Sequence, residues 1–348
     1  MNRGWLCTAA LAAAGLVPWC TPASAQVGGP LVGGPVPVYG GESEAVYIPP
    51  PPSVEPNFQL GLRYWHSEGK TRFDIDSSRL APDFYGSPTS TLDYDGMQGD
   101  TIEFTFRAAN ETDTIFKGFV GGGWIDGGSL DDEDYFAGQV KFSDTYSSID
   151  GDGMLYGTLD LAKRFNIATG GPELQINPLI GFNYWQETAD AYGVRCNPDQ
   201  VGGIYCGPPG SVAVPFGTKV ITNEVHWASL RLGAEVKVKF LDRITLIGDA
   251  AFLPVAYLWN DDSHHLRRDL GPTPNIKDSG TGWGYQLEGS AQIDINENWA
   301  ISSGVRYWYA KTDGDSEFVH TGTTVDLQDF TSERIGVFGD VTYRFSTF

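Results

Sequence analysis

Long apolar segments are rare in this sequence, and basic residues are scarce. After residue 26, no stretch provides the roughly 18 consecutive apolar residues that characterise a transmembrane helix. The chain has 23 basic against 44 acidic residues, and its formal net charge is −21. Such an excess of acids argues against a nucleic acid as the partner. The sequence therefore predicts neither a helical membrane protein nor a nucleic-acid-binding protein.

Cysteine is also scarce, with four residues in the chain. Two of them, Cys7 and Cys20, lie in the first 25 residues, which have the features of an export signal. Cys196 and Cys206 remain, and in an oxidising compartment we expect them to form a disulfide, with two free thiols as the alternative. Their spacing does not indicate zinc, because no second ligand pair lies nearby, and no metal site is predicted.

The first 25 residues have the three parts of a secretory signal peptide. Arg3 provides the positive charge, residues 5–17 are apolar, and residues 23–25 (Ala-Ser-Ala) match a cleavage site. An anchoring helix is the alternative, but the apolar run is short for one. Residues 26–56 are rich in proline and glycine and predict an extended periplasmic tail.

Residues 57–348 alternate between apolar and polar side chains. Aromatic residues make up 13% of the chain, although its mean hydropathy is only −0.23. This combination is typical of outer-membrane barrels, whose strands are apolar only on the face toward lipid. Ten strands are predicted, at 58–67, 99–109, 113–126, 153–165, 173–188, 223–239, 243–260, 281–295, 298–311 and 333–345.

The connections between these strands alternate in length. The short ones are 110–112, 166–172, 240–242 and 296–297, and the long ones are 68–98, 127–152, 189–222, 261–280 and 312–332. This alternation predicts an all-β protein, a ten-stranded antiparallel up-and-down transmembrane β-barrel in the outer membrane. Its short turns would be periplasmic and its long loops extracellular. A soluble β-sandwich is the alternative, but it would not require this alternation.

Two ionisable clusters lie at the predicted extracellular mouth, "SLDDEDYF" (129–136) and "NDDSHH" (260–265). Because residues i and i+2 of a strand share a face, Asp262 should point with His264, and Asp132 with Asp134. An Asp-His pair can serve as a general base, and two carboxylates opposite it could hold a water molecule. The clusters therefore predict hydrolysis by an activated water.

Each cluster also has a simpler interpretation. Acid-rich loop tips are common in outer-membrane proteins, and "DDED" could equally form a loose calcium site. The alternative function is a non-catalytic barrel that acts as an adhesin, a structural surface protein or a narrow pore. A ten-stranded lumen filled by side chains leaves little room for a wide channel, which favours the adhesin among these.

Several segments resemble the omptins, a family of outer-membrane endoproteases built as ten-stranded barrels. The resemblance extends diffusely from about residue 60 to residue 345 and is carried by "SEGKTRF" (67–73), "STLDY" (90–94), "GGSLDDEDYF" and "NDDSHH". It implies an aspartyl endopeptidase with its active site facing the extracellular side. Asp262 and His264 would activate a water, while Asp132 and Asp134 would help to bind it and to stabilise the oxyanion.

The resemblance also implies where a substrate would bind. "KFSDTYS" (141–147) places an acidic primed-side subsite at Asp144. The positions that carry acids in the omptin non-primed pocket fall at Phe73 and Asn260, with Asp74 and Asp261 one residue away. The expected substrates are extracellular, mainly cationic, peptides or proteins. We expect a monomer without a cofactor, surrounded by outer-membrane lipid and dependent on lipopolysaccharide for activity.

Overall fold

The computed structural model describes residues 58–82, 84–169 and 171–345. The predicted signal peptide (1–25) and tail (26–56) lie outside the described residues. Thirteen strands form one antiparallel sheet, and no helix in the described ranges has the length and apolarity of a membrane span. The strands are β1 (Phe58–Asp76), β2 (Ser90–Ala109), β3 (Thr114–Asp126), β4 (Ser129–Phe136), β5 (Val140–Ile149), β6 (Gly153–Lys163), β7 (Phe165–Ile167), β8 (Glu173–Cys196), β9 (Val212–Leu241), β10 (Ile244–His264), β11 (Ile276–Asp294), β12 (Trp299–Phe318) and β13 (Thr323–Phe345).

Ten of these strands close into a ring. Each pairs with its neighbours in the order β1-β2-β3-β6-β8-β9-β10-β11-β12-β13, and β13 pairs with β1. The remaining long elements, β4 and β5, form a hairpin that pairs with β2 on one side and β8 on the other. The short strand β7 pairs with β8 near the short turns. The predicted ten-stranded barrel is therefore confirmed.

The outer surface of the barrel carries an apolar belt. Alternate residues of β1 and β13 are exposed and apolar, namely Phe58, Leu60, Leu62, Ile335, Val337 and Val341. Aromatic rings contact one another at both edges of the belt, as in the pairs Trp299–Tyr343 (4.8 Å), Phe58–Phe345 (5.2 Å), Tyr285–Tyr309 (5.1 Å) and Trp283–Tyr309 (5.7 Å). An apolar band between two aromatic girdles is typical of membrane-spanning barrels.

The barrel interior is filled by side chains. Trp308 packs against Trp65 at 5.0 Å and against Tyr156 at 5.1 Å between ring centroids, which forms an aromatic layer across the lumen. Beside this layer, Arg306 is buried in ion pairs with Glu103 and Glu288. A cavity of about 160 Å³, lined mostly by charged and polar side chains, adjoins it. A lumen filled by side chains leaves little room for a wide channel. It fits a barrel that supports a site at its mouth.

The strands run further toward the long-loop end than the sequence predicted. Much of the predicted loop 68–98 belongs to β1 and β2, and much of 189–222 belongs to β8 and β9. The acidic segment 129–136 was expected in a loop or at its edge, but it is strand β4. Backbone pairing continues beyond the apolar belt, where the contrast between a lipid face and a polar face no longer marks a strand. The barrel wall therefore rises above the belt and carries the candidate site.

Candidate active site

The Asp-His pair lies at the end of β10, beyond the apolar belt. Asp262 is five residues past the outward-facing Tyr257, or about 17 Å along the strand. The His264 Nε2 atom lies 3.0 Å from Asp262 Oδ2, in a hydrogen bond in which the imidazole N–H donates. Asp262 is fully buried, whereas 15% of the His264 side chain is exposed. Because Nε2 is bound to Asp262, Nδ1 is the nitrogen left for a reactant.

Asn275, the residue just before β11, holds the backbone of this histidine. Asn275 Oδ1 accepts a hydrogen bond of 2.9 Å from the His264 backbone N–H, and Asn275 Nδ2 donates one of 3.1 Å to the His264 carbonyl. Asn275 is completely buried. His265 points the other way, toward solvent, where Nε2 lies 2.9 Å from Thr222 Oγ1. Strand alternation thus separates the two adjacent histidines.

The paired carboxylates lie on the hairpin rather than on the barrel wall itself. Asp132 is opposite Leu92 of β2, and Asp134 is opposite Ser90, so both side chains are on the same face of β4. Glu133 is on the other face, where it binds Lys141 Nζ at 3.0 Å. Alternation within "DDED" therefore places only two of its four acids toward β10.

The two clusters lie close enough for each to shift the pKa of the other. Burial and the neighbouring carboxylate of Asp134 raise the pKa of Asp132 to about 7, while the charge of His264 opposes the shift. Burial also raises the pKa of Asp134. Burial of the His264 ring lowers its pKa, but Asp262 and Asp132 outweigh this and raise the pKa to about 9. Near neutral pH the arrangement therefore holds an imidazole that is mainly protonated opposite a pair of carboxyl groups of which one is partly protonated.

The predicted substrate-binding residues do not lie together in the structure. Asn260 shares the inward face of β10 with Asp262 and is almost fully buried. Asp261 points outward, 3.7 Å from Lys277. Asp144 lies opposite Glu133, so its side chain is on the other face of the hairpin from Asp132. The structure therefore brings Asn260 to the Asp-His pair and does not bring Asp144 or Asp261 there.

The two predicted positions on β1 are also on opposite faces. Phe73 is completely buried and stacks on Phe330, with 4.8 Å between ring centroids. Asp74 is on the outer face, where its Oδ1 accepts a hydrogen bond of 2.7 Å from Thr91. Phe73 is thus a core residue at the level of Asp132, because both residues are opposite Leu92, and Asp74 does not reach the cleft.

Two residues beside the Asp-His pair were not found from the sequence. Asp278 of β11 lies opposite Asn260 and is bound by Asn260 Nδ2 at 2.8 Å and by Ser316 Oγ at 2.5 Å. Burial raises the pKa of Asp278 to about 7. Tyr94 of β2 is completely buried, and its hydroxyl has no hydrogen-bond partner among the described residues. Burial and the charges of Asp262, Asp132 and Asp278 raise the pKa of Tyr94 well above its usual range, so the phenol stays protonated.

A disulfide joins Cys196 and Cys206 in the connection that follows β8. The Cys196 N–H donates to the Ser211 carbonyl at 2.9 Å, and Cys196 is paired with Thr145 of β5. The bridged loop therefore adjoins the same hairpin that carries Asp132 and Asp134.

Comparison with solved structures relates the fold to outer-membrane proteins. The crystal structure of outer membrane protease OmpT from Escherichia coli is similar with a TM-score of 0.62 at 12% sequence identity, covering 83% of this chain and 97% of that one. OprG from Pseudomonas aeruginosa gives a TM-score of 0.34 at 12% identity, with coverages of 84% and 98%. Ail of Yersinia pestis gives 0.28 at 9%, with coverages of 84% and 99%.

These comparisons bear on the fold alone. No family model matches the sequence, and no curated protein matches it. The TM-scores of OprG and Ail are too low to carry an argument, whereas the match to OmpT extends over nearly the whole length of that protein. The chain therefore has the fold of an outer-membrane β-barrel protein.

Proposed function

We propose that this protein is an omptin-like endopeptidase of the outer membrane, with its cleft at the extracellular side. The observation that carries the proposal is the buried Asp262–His264 hydrogen bond, which faces the Asp132/Asp134 pair across the barrel mouth. The match to OmpT supports the same fold for both proteins. Short turns on the side of Phe58 and Phe345 fit periplasmic termini.

The proposed reaction is direct hydrolysis by water. Asp132 and Asp134 hold a water molecule against His264, and the neutral imidazole accepts its proton at Nδ1. The hydroxide oxygen bonds to the scissile carbonyl carbon, whose π electrons move to the oxygen. Asp262 stabilises the imidazolium that forms. This imidazolium then gives its proton to the leaving amine as the oxyanion re-forms the carbonyl and the C–N bond breaks. The proton retained between the two carboxyl groups is available to the oxyanion.

The proposed substrates are cationic peptides. Among the positions expected to bind a basic side chain, only Asn260 lies beside the Asp-His pair, and it carries no charge. Asp278 on the adjacent strand provides a carboxyl group next to it. The net charge of −21 also favours cationic partners. We further propose that the protein acts as a monomer in lipid and that lipopolysaccharide promotes its activity. Cleavage rates measured with and without lipopolysaccharide test the second of these proposals.

The proposal is tested by the pH dependence of peptide cleavage. Refolded protein, with and without lipopolysaccharide, is incubated with a basic peptide, and the products are identified by mass spectrometry. Since the pKa of His264 is raised to about 9, the neutral imidazole that acts as the base becomes about tenfold scarcer with each pH unit below that value. We expect kcat/KM to fall by about tenfold or more per pH unit from pH 7 to pH 5.

Circular dichroism at each pH provides the control for unfolding. A rate that is flat from pH 5 to pH 8 would contradict a role for His264 as the base. An intact peptide at every pH, with and without lipopolysaccharide, would contradict the proposed activity and favour the non-catalytic barrel.

A further inference from the structure

An exposed apolar cluster lies at the far end of the hairpin that carries the paired carboxylates. We call it the aromatic tip, and it consists of Phe84, Phe136, Phe142, Ile204 and Tyr205. Phe84 is 54% exposed, Ile204 75% and Tyr205 59%. These residues lie well beyond the apolar belt, where exposed apolar side chains serve no contact with lipid tails. Exposed clusters of this kind commonly mark interaction surfaces.

The tip is a fixed surface assembled from three separate connections. Phe136 stacks on Phe142 with 4.0 Å between ring centroids, Tyr205 packs on Phe142 at 5.0 Å, and Phe84 packs on Phe136 at 5.5 Å. The Ala137 N–H donates to the Phe84 carbonyl at 3.0 Å, which joins the first loop to the hairpin. The loop that presents Tyr205 is closed by the disulfide. The surface therefore does not need to be ordered by a partner.

The tip is continuous with the cleft. Phe136 follows Asp134 by two residues of β4, or about 7 Å, and Phe142 is adjacent to Ser143, which pairs with Asp134. A polypeptide held at Asp132 and Asp134 would therefore reach the tip within two or three residues of its own extended chain.

The surroundings of the tip are acidic. Glu133, Asp144 and Asp199 lie around it, and Lys141 forms ion pairs with the first two of these acids. Hydrogen bonds from Tyr135 and Lys141 outweigh burial and keep the pKa of Glu133 below its usual range. Backbone N–H groups, that of Gly203 first, likewise lower the pKa of Asp199. An occupant that combines apolar and cationic side chains fits this surface, whereas an anionic membrane or a second copy of this acidic tip would be repelled.

We infer that the aromatic tip is a docking site for an apolar, cationic segment of the polypeptide substrate, outside the cleft where its bond is cut. The inference rests on the proposed function. It assigns the protein a preference for amphipathic substrates that the residues around His264 alone would not produce. Binding energy at the tip acts equally on the bound substrate and on the transition state, so it lowers KM and leaves kcat unchanged.

The kinetic test uses two peptides with the same scissile sequence and charge. One carries leucine and phenylalanine in its flank, and the other carries serine at those positions. The variant combines Ile204→Ser with Tyr205→Ser, both highly exposed, and Phe84→Ser is a second variant in another loop. We expect KM for the apolar-flank peptide to rise roughly tenfold, with kcat and both constants for the serine-flank peptide unchanged. Val319→Ser, at the 40% exposed Val319 of another turn, is the matched control.

The outcomes separate this inference from the proposed function. If the wild type cleaves both peptides and the tip variants leave both KM values unchanged, the inference is overturned while the activity stands. If the wild type cleaves neither peptide, the binding of each peptide to the His264→Ala protein tests the docking site independently of cleavage. The apolar-flank peptide is then expected to bind about tenfold more tightly, and equal binding by both peptides overturns the docking site. Loss of binding to phosphatidylcholine vesicles, or of dimers, in the tip variants without any effect on peptide would assign the tip to those occupants instead.

Discussion

Replacing His264 by alanine is expected to lower kcat/KM for a basic peptide by about a thousandfold, with the barrel intact. The side chain keeps one free nitrogen toward the cleft while Asp262 holds the other at 3.0 Å. Without the imidazole, no group in the proposed site both accepts the proton of water and returns it to the leaving amine. Asp262→Asn should cause a loss of similar size, because a neutral amide cannot stabilise the imidazolium.

The adjacent His265 provides the matched control for this experiment. It has the same side chain one residue along the chain, but it points to solvent and contacts Thr222. His265→Ala should therefore retain the wild-type rate. A His264→Ala protein that cleaves as fast as His265→Ala would remove the Asp-His pair from the reaction.

Asp132→Asn is expected to lower activity by about a hundredfold or more and at the same time to stabilise the protein at alkaline pH. Burial and Asp134 raise the pKa of Asp132 to about 7, above its ordinary value of 3.8. A carboxyl group with a raised pKa in the folded state destabilises the fold when ionised. This penalty develops as the pH rises from about 4 through 7, and asparagine does not have it.

The melting temperature of each variant at pH 5 and pH 8 measures this effect. Asp132→Asn should melt above the wild type at pH 8, and the difference should shrink at pH 5. Glu133→Gln is a control of opposite sign, because the pKa of Glu133 is lowered and its ion pair with Lys141 stabilises the fold at pH 8. Asp131→Asn, on the same face as Glu133, should keep the wild-type cleavage rate. If Asp132→Asn melts below the wild type at pH 8, the ionised Asp132 carboxylate does not destabilise the fold as proposed.

The barrel could be predicted from the sequence because side-chain alternation and connection lengths are local properties. In the last strand, Ile335, Val337 and Val341 are all exposed on one face, as the alternation indicates. The same rule separates Asp262 and His264 from His265, since it depends only on backbone geometry. Both features follow from one strand at a time, whichever strands are its neighbours.

Site residues that lie at the ends of strands above the apolar belt could not be predicted in this way. Asp278 and Tyr94 lie in segments that were expected to be loops, 261–280 and 68–98, but both belong to strands. Above the apolar belt both faces of a strand are polar or mixed, so periodicity weakens while backbone pairing continues. Asp144 shows a further limit, because its face depends on its pairing opposite Glu133, which is a non-local property.

The central claim is that the two ionisable clusters work as one hydrolytic site. A double-mutant cycle on kcat/KM tests it most directly, using the wild type, His264→Ala, Asp132→Asn and the protein with both substitutions. Residues that act on the same water are expected to be non-additive, so the double variant should lose about as much as the more damaging single variant. Losses that multiply, or a single variant that retains the wild-type rate, would contradict a shared site.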